Sequence, residues 1–165
     1  MTEQITTFLS SLPKEVITII ISTLPIIELR GAIPWALAQP PIGGGMSIFS
    51  AVFFAILGNM IPVIPLLLFF DKIYNWLKPY PRFNRIFEWL FARTRKKGKM
   101  IEKYEFWGLV VFIGIPLPMT GAWTGTLAAY IFGLNFWKSV LAAIFGLLMS
   151  ATIVTLLSLG ILQIF

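Results

Sequence analysis

The sequence contains no cysteine and no histidine. Without cysteine, disulfides and thiolate metal sites are excluded. Without histidine, a proton-transfer step near neutral pH requires a carboxylate whose pKa is shifted from its ordinary value. Acidic residues are also scarce, with seven Asp and Glu against thirteen Lys and Arg. Few groups remain that can carry chemistry, so the position of each charge is informative.

Charged residues are missing altogether from three long stretches, 31–70, 106–137 and 139–165. Each is longer than the roughly 20 apolar residues that a helix needs to cross the hydrocarbon core of a bilayer. The chain is 58% hydrophobic with a mean hydropathy of +0.86, whereas soluble domains are about 45–50% apolar. The sequence therefore predicts an all-α integral membrane protein. Residues 1–4 carry no positive charge, so we expect no cleaved signal peptide.

Ten of the thirteen basic residues lie between Lys72 and Lys103. By the positive-inside rule this segment is cytoplasmic. A basic run can bind nucleic acid, but between long apolar segments anionic lipid headgroups are the nearer partner, and we expect no nucleic acid. The spacing of apolar residues in 71–103 predicts amphipathic helices in the membrane interface; a soluble loop packed on the bundle is the alternative. The residues with this spacing are Ile73, Trp76, Leu77 and Tyr80, then Phe83, Ile86, Phe87 and Leu90.

The order of segments repeats on either side of this basic region. A broken apolar segment, 14–45, precedes a spanning helix predicted for 46–70. A second broken segment, 104–134, precedes a spanning helix predicted for 136–165. Prolines and glycines interrupt both broken segments and are poorly compatible with one continuous helix. Paired interrupted segments in two halves indicate a binding site in membrane transporters.

Two topologies fit this pattern. If both broken segments are re-entrant hairpins, the halves form an inverted repeat, Lys138 stays cytoplasmic and Phe165 ends outside. If all four segments cross the membrane, Lys138 lies outside and Phe165 inside. The first topology agrees better with the prolines, with Lys138 and with the echo of Arg30-Gly31-Ala32 in Thr120-Gly121-Ala122. We therefore expect one membrane domain, built as an inverted repeat of re-entrant hairpin plus transmembrane helix, with cytoplasmic amphipathic helices between the halves.

Two charges, Glu28 and Arg30, lie deep in the first broken segment. Ionisable residues at membrane depth are costly and are functional by default. Side chains two residues apart diverge on a regular helix but share a face on extended backbone, and Pro25, Gly31 and Pro34 favour the extended geometry. We expect Glu28 to take a proton or cation and Arg30 to hold an anion. A structural ion pair at the tip of a hairpin is the alternative, and the two roles are compatible.

The second broken segment offers hydroxyls and backbone groups instead of charges. Thr120 and Thr124 flank Gly121 and Trp123. A half-helix that begins near Thr120 would direct N–H donors at a substrate anion, whereas Gly121 and Gly125 also have the spacing of tight helix packing. Both interpretations stay open. Trp123 could line a pocket for an apolar tail or an aromatic cation, although packing is the plainer interpretation.

No enzyme motif is present. Metal-ligand spacings, a phosphate-binding loop and a nucleophile elbow are all missing from the sequence, and one buried carboxylate is poor support for hydrolysis. We expect no enzymatic activity, no cofactor and no bound metal. Asn59, inside the first predicted spanning helix, is expected to make an interhelical hydrogen bond, and Asp71 is expected only to mark the cytoplasmic end of that helix.

Two stretches, ELRGAIP at 28–34 and PLPMTGAWTG at 116–125, resemble the signature regions of a known family. Together they resemble the Putative small multidrug export proteins of bacteria and archaea, a family that looks like a relative of the DedA (VTT-domain) membrane proteins. The resemblance extends from about residue 14 to the end. It implies a multi-pass plasma-membrane protein with two re-entrant hairpins that face each other across the bilayer.

DedA relatives are associated with flipping phosphate-bearing lipids, often driven by a proton or sodium gradient. The resemblance therefore implies Glu28 and Arg30 as site residues of the first hairpin. The chain departs from the DedA pattern at the second hairpin, where Thr120, Trp123 and Thr124 stand in a motif that carries arginine in DedA relatives.

The sequence thus predicts a small, dimeric transporter that moves an amphipathic substrate, in the first place a phosphate-bearing lipid, with membrane lipids and a proton or sodium gradient as partners. Glu28 would be the protonatable coupling residue and Arg30 its partner or the headgroup ligand. The remaining site residues would be Gly31, Thr120, Gly121, Trp123 and Thr124. The alternatives are an efflux carrier for small hydrophobic cations and a non-transporting organiser that holds anionic lipid with its basic helices.

Overall fold

The computed structural model describes residues 12–97, 99–117 and 120–162, and their regular secondary structure is α-helical. The expected all-α fold is confirmed for these residues. Two helices, Ile48–Leu77 and Phe136–Gly160, are long and apolar enough to cross a membrane, with mean hydropathies of 2.3 and 2.4. The helices are α1 Lys14–Thr23, α2 Glu28–Leu37, α3 Ile48–Leu77, α4 Pro81–Lys97, α5 Lys99–Gly114, α6 Ala122–Ile131 and α7 Phe136–Leu162.

A pair of shorter helices precedes each helix of membrane-crossing length. Helices α1 and α2 precede α3, helices α5 and α6 precede α7, and α4 lies between the two sets. Both α2 and α6 have ten residues. The same order of elements therefore occurs twice along the chain. Phe165, whose side of the membrane the sequence predicted, lies outside the described residues.

The first long helix differs from its predicted bounds. It starts at Ile48 and continues to Leu77, past the predicted end at residue 70 and through Pro62 and Pro65. Residues 71–77 are thus the last turns of α3 and do not form a separate helix. A charged pair at 71–72 does not break a helix, whereas Pro79 disfavours helical backbone at the residue before it.

The chain divides into two compact units. The first contains the residues up to Asn59 together with those from Ala151 onwards, and the second contains Met60–Ser150. Alanine is frequent in both cores, and small residues allow helix backbones to approach closely where lipid surrounds the helices. Core residues of the first unit include Leu29, Ala32, Ile33, Ala36, Ala51 and Ala55. Core residues of the second unit include Leu109, Ile113, Ala128, Ala129, Ala142, Ala143 and Leu147.

In the first unit, α1 approaches α3 at a glycine. A β-carbon built on Gly58 would lie 2.5 Å from the carbonyl oxygen of Ile19, so any side chain there would push the helices apart. The hydroxyl of Thr23 also donates a 3.0 Å hydrogen bond to the carbonyl of Gly58. The close approach of α1 to α3 and a hydrogen bond between these helices therefore both occur at Gly58.

The loop after α2 folds back and caps that helix. Gly44, Gly45 and Met46 donate backbone hydrogen bonds of 2.8–2.9 Å to the carbonyls of Trp35, Ala38 and Ala36 respectively. The last carbonyls of a helix have no intrahelical partner, and each group left unsatisfied in lipid costs several kcal/mol. Gly45 has φ +56, which glycine adopts without strain. The Pro- and Gly-rich run between α2 and α3 thus forms a loop.

In the second unit, α5 packs against glycines of α6 and α7. A β-carbon on Gly146 would lie 2.7 Å from the β-carbon of Ile113, and a β-carbon on Gly125 would collide with the same side chain. Helix α5 also contains a kink, because Glu105 has φ 40 and ψ −103. The kink lies close to residue 104, where the sequence places the start of the second broken segment.

Candidate functional site

The charged pair lies in the first turn of α2. Glu28 is the first residue of that helix, and its φ of 51 places it in the left-handed region. The Arg30 Nη2 atom lies 3.8 Å from the Glu28 Oε2 atom. The predicted ion pair is therefore present, but the prediction of extended backbone is wrong, since residues 28–37 are helical and include Gly31 and Pro34. Left-handed backbone at Glu28 departs from the regular helical rotation, which lets side chains two residues apart meet.

Both members of the pair are largely withdrawn from solvent. Their side chains are 7% exposed for Glu28 and 23% exposed for Arg30. Removing one partner of a buried pair typically costs about 3–5 kcal/mol, because the other charge is left uncompensated. The pair is thus a place where adding a proton to the carboxylate, or an ion to either member, changes the local energy strongly.

Gly31 makes room for this turn. A β-carbon there would collide with the side chain of Ile27, and the Gly31 N–H donates a 3.2 Å hydrogen bond to the Ile27 carbonyl. The short segment between α1 and α2 therefore closes tightly against the start of α2. Gly31 shapes the backbone beside the pair and adds no functional group of its own.

The second motif is a helix break held by hydroxyl groups. The Thr120 hydroxyl, whose residue is 7% exposed, lies 2.9 Å from the carbonyl of Ile115 and 2.8 Å from that of Leu117. Helix α6 begins at Ala122, with Gly121 at its N-cap in a glycine-type conformation with φ 151. A helix therefore starts two residues after Thr120. Pro118 and Met119, which belong to the same predicted motif, lie outside the described residues.

The polar groups of the second motif bind its own backbone. The Thr124 hydroxyl is 3.4 Å from the carbonyl of Gly121, and Trp123 is half-buried. Gly125 contacts Ile113 closely, so the packing interpretation of the Gly121 and Gly125 spacing also holds for its second glycine. The hydroxyl groups of Thr120 and Thr124 therefore stabilise the break.

The structure groups the predicted site residues into two local sets. Glu28, Arg30 and Gly31 lie together in the first unit. Residues 120–124 lie together in the second unit. The first set lies at the start of α2, and the second lies at the break before α6 and in its first turn.

The sequence predicted only part of a polar cluster around Asn59. The Asn59 Nδ2 group donates to the Ser22 Oγ and to the Ala55 carbonyl, which confirms the predicted interhelical hydrogen bond. Ser22 and Thr18 are fully buried beside it. Small polar residues in the apolar run of α1 were the available signal. Among the described residues no donor reaches the buried Asn59 Oδ1 atom.

A second contact was not foreseen. The Tyr130 hydroxyl, at the end of α6, donates a 2.8 Å hydrogen bond to the Asp71 Oδ1 atom of α3. Asp71 therefore does more than mark a helix end, since it ties the short helix of the second motif to α3. No sequence pattern links two residues so far apart in the chain.

Two helices long and apolar enough to span a bilayer, together with a buried ion pair, are features of a membrane protein. Residues 28–153 match the family model described as Putative small multi-drug export protein. The match covers well over half of the chain and includes both motifs, so the chain belongs to this family. No curated protein and no solved structure matches the chain. The relationship to the DedA proteins stays a prediction.

Proposed function

We propose that the protein is an ion-coupled exporter of small amphipathic molecules and that the Glu28–Arg30 pair is its coupling site. Membership of the small multi-drug export family supports transport as the activity. The observation that carries the coupling role is the burial of Glu28, which is 5% exposed beside Arg30. A charge kept in an apolar protein at this cost is typically part of a substrate or ion pathway.

The chemistry of the pair gives a simple exchange mechanism. A proton on Glu28 removes the negative charge and releases Arg30 from its partner. Loss of that proton restores the pair, or lets a cationic substrate compete with Arg30 for the carboxylate. Binding of proton and binding of substrate are then mutually exclusive at one carboxylate, which is the requirement for exchange. A sodium ion in place of the proton would follow the same logic. The chemistry needs no cofactor and makes the protein a carrier rather than an enzyme.

The repeated order of elements supports an inverted repeat. In each half, a glycine of the long helix meets a shorter helix at close range, Gly58 against Ile19 and Gly146 against Ile113. We propose that each broken segment is a re-entrant hairpin, with the residues around Glu28 and those around Thr120 at its breaks. The protein would be a multi-pass homodimer in the plasma membrane of a bacterium or archaeon, since one chain of this size offers a small polar pathway.

Hydrophobic cations are the first substrate class that we propose, because a single buried carboxylate can alternate between a proton and a cation. Phosphate-bearing lipids are the second. The specific observation in favour of lipids is Arg30, whose side chain is 23% exposed beside a carboxylate that protonation can neutralise. A guanidinium released in this way is suited to a phosphate group.

The test uses purified protein in liposomes under an imposed pH gradient. One assay follows efflux of a fluorescent hydrophobic cation, and the other follows movement of a fluorescent phospholipid between leaflets. Glu28→Gln is expected to abolish cation efflux, whereas Glu88→Gln, which alters an exposed carboxylate on α4, leaves it unchanged. Arg30→Ala is expected to abolish lipid movement if lipid is the substrate.

Each result has a defined meaning. Loss of cation efflux alone in Glu28→Gln supports the cation exporter, and loss of lipid movement alone in Arg30→Ala supports the lipid carrier. Full activity of both variants in both assays would remove the pair from the transport site. A wild-type protein that moves neither probe would favour the membrane organiser.

A further inference from the structure

Helix α4 presents two different faces. One is occupied, because the Phe87 ring lies 6.1 Å from the Phe70 ring and 5.3 Å from the Tyr74 ring of α3. The Phe91 ring also lies 5.4 Å from Tyr74. These contacts fix the rotation of α4 about its own axis. Phe87, predicted on the basis of spacing to face lipid with its neighbours, packs on α3 instead.

The other face carries a strip of exposed residues at positions 82, 85, 86 and 89. We call Arg82, Arg85, Ile86 and Trp89 the α4 strip. Their spacing of three, four and seven places them on one side of a helix. Ile86 is 55% exposed and Trp89 is 53% exposed, and both arginines are exposed as well. The strip therefore combines two cations with an aliphatic and an aromatic side chain.

The strip contains no acidic residue. Glu88 is three residues after Arg85, but its carboxylate accepts a 3.0 Å hydrogen bond from the Asn84 amide, and both lie off the strip. The surrounding sequence adds positive charge, since ten of the thirteen basic residues lie between Lys72 and Lys103. The strip itself therefore carries two positive charges and no negative charge, in a segment with an excess of basic residues, which disfavours a cationic partner and favours an anionic one.

We propose that the α4 strip is a binding site for anionic phospholipid headgroups. Arg82 and Arg85 would bind the phosphate, because guanidinium groups bind phosphate oxygens in a bidentate manner. Trp89 would lie at the headgroup level, where tryptophan is enriched, and Ile86 would enter the acyl-chain boundary. The inference concerns lipid binding at the surface and does not rest on the transport activity proposed above.

The occupant follows from the chemistry of the strip. A solvated helix face would carry its two arginines without a neighbouring exposed Ile and Trp, and a protein interface would not need cations at its centre, where charged residues are depleted. A membrane surface with negative lipid accounts for both kinds of residue. The strip also belongs to a membrane protein, so lipid is available to it at high local concentration.

The test measures lipid retained by the intact protein. The full chain is extracted in mild detergent from membranes that contain phosphatidylcholine and phosphatidylglycerol, and the bound lipids are counted by mass spectrometry. Wild type is expected to retain phosphatidylglycerol in preference to phosphatidylcholine. Each basic residue near an anionic surface contributes about fivefold to binding, so Arg82→Gln/Arg85→Gln is expected to reduce that preference by roughly 30-fold.

Two further variants keep the result interpretable. Lys14→Gln/Lys103→Gln removes the same charge from exposed positions outside the strip and is expected to change the preference much less. Arg82→Lys/Arg85→Lys retains the charge but loses the bidentate contacts. It is expected to retain more of the preference than Arg82→Gln/Arg85→Gln, so a general folding defect is distinguished from loss of an anion site.

Three outcomes would overturn the proposal. Equal retention of both lipids by wild type would show that the strip has no anion preference. An equal loss in Lys14→Gln/Lys103→Gln would show that total charge, rather than the strip, binds the lipid. A change in oligomeric state on mutation of the strip, with lipid retention unchanged, would assign this surface to a second copy of the chain.

Discussion

Each of the two units holds a glutamate with left-handed backbone whose carboxylate faces a cation. Glu28 has φ 51 and lies 3.8 Å from Arg30, and Glu105 has φ 40 and lies 3.6 Å from Lys138. The pairs differ in their surroundings. Side chains of the first pair are 7% and 23% exposed, whereas those of the second are 68% and 61% exposed. Nearly equal distances between the charges thus occur in two very different dielectric environments.

The comparison shows why distance alone does not identify a functional charge. In water a pair at 4 Å gains about 1 kcal/mol, and the gain grows as solvent is excluded. The cost of desolvating each charge grows as well. The Glu105–Lys138 pair is therefore nearly neutral for stability, whereas at Glu28 and Arg30 two large terms oppose each other. Addition of one proton to Glu28 therefore changes the energy of this pair strongly.

The largest expected effect comes from breaking the buried pair. Arg30→Leu removes the guanidinium and leaves the Glu28 carboxylate without its partner, so we expect a loss of about 3 kcal/mol in unfolding free energy at neutral pH. The loss is expected to shrink as the pH falls, because protonation removes the uncompensated charge. Denaturation in detergent micelles at several pH values measures both quantities.

The control for this prediction removes both charges. Glu28→Gln/Arg30→Leu leaves no isolated charge, so it is expected to be more stable than Arg30→Leu at neutral pH and nearly independent of pH. If the two variants unfold alike at every pH, the burial of Glu28 has no energetic consequence and its assignment as the coupling residue loses its basis.

A smaller effect is expected at the second motif, where a hydroxyl group rather than a charged pair stabilises the helix break. Thr120→Val removes the hydroxyl that bonds the carbonyls of Ile115 and Leu117, so we expect a loss of about 1–3 kcal/mol with no pH dependence. Thr120→Ser keeps the hydroxyl and is expected to lose much less. A pH-dependent loss in Thr120→Val would contradict the view that neutral hydrogen bonds hold this break.

The sequence was sufficient for the larger features of the fold. Runs without charge predicted the two long helices, and the clusters of proline and glycine located both breaks, because each signal is local and physical. The ion pair was predictable since Glu28 and Arg30 are close in sequence and have few other partners. The start of α6 near Thr120 followed from the glycine and proline pattern in the same way.

Features that depend on tertiary contacts were not predictable. Left-handed backbone at Glu28 is rare for a residue other than glycine, and no local pattern indicates it. The packing of Phe87 on α3 decides which side of α4 is exposed, although the spacing placed Phe87 with the lipid-facing residues. The hydrogen bond from Tyr130 to Asp71 joins distant parts of the chain. In each case long-range packing overrides the local preference.

The exposed pair allows the role of backbone strain to be isolated. Left-handed backbone costs roughly 1–2 kcal/mol for a residue with a β-carbon, whereas glycine adopts it freely. Glu105→Gly is therefore expected to raise the unfolding free energy by up to about 1 kcal/mol, after the entropic cost of glycine in the unfolded chain. Lys103→Gly, in regular helix two residues earlier, is expected to lower it by a similar amount. Equal losses in both variants would mean that the kink at Glu105 stores no strain.

The smallest effect is expected from the exposed cation. Lys138→Gln removes the partner of Glu105, and exposed pairs contribute about 0–1 kcal/mol, so the change in unfolding free energy is expected to fall below those from Arg30→Leu and Thr120→Val. Because salt screens exposed charges, the remaining difference from wild type is expected to vanish at high ionic strength, whereas the deficit of Arg30→Leu persists. Denaturation of both variants at low and high salt makes the comparison directly. A deficit in Lys138→Gln that salt does not reduce would place this pair in a protected environment, and the contrast between the two glutamates would then no longer assign function to Glu28 alone.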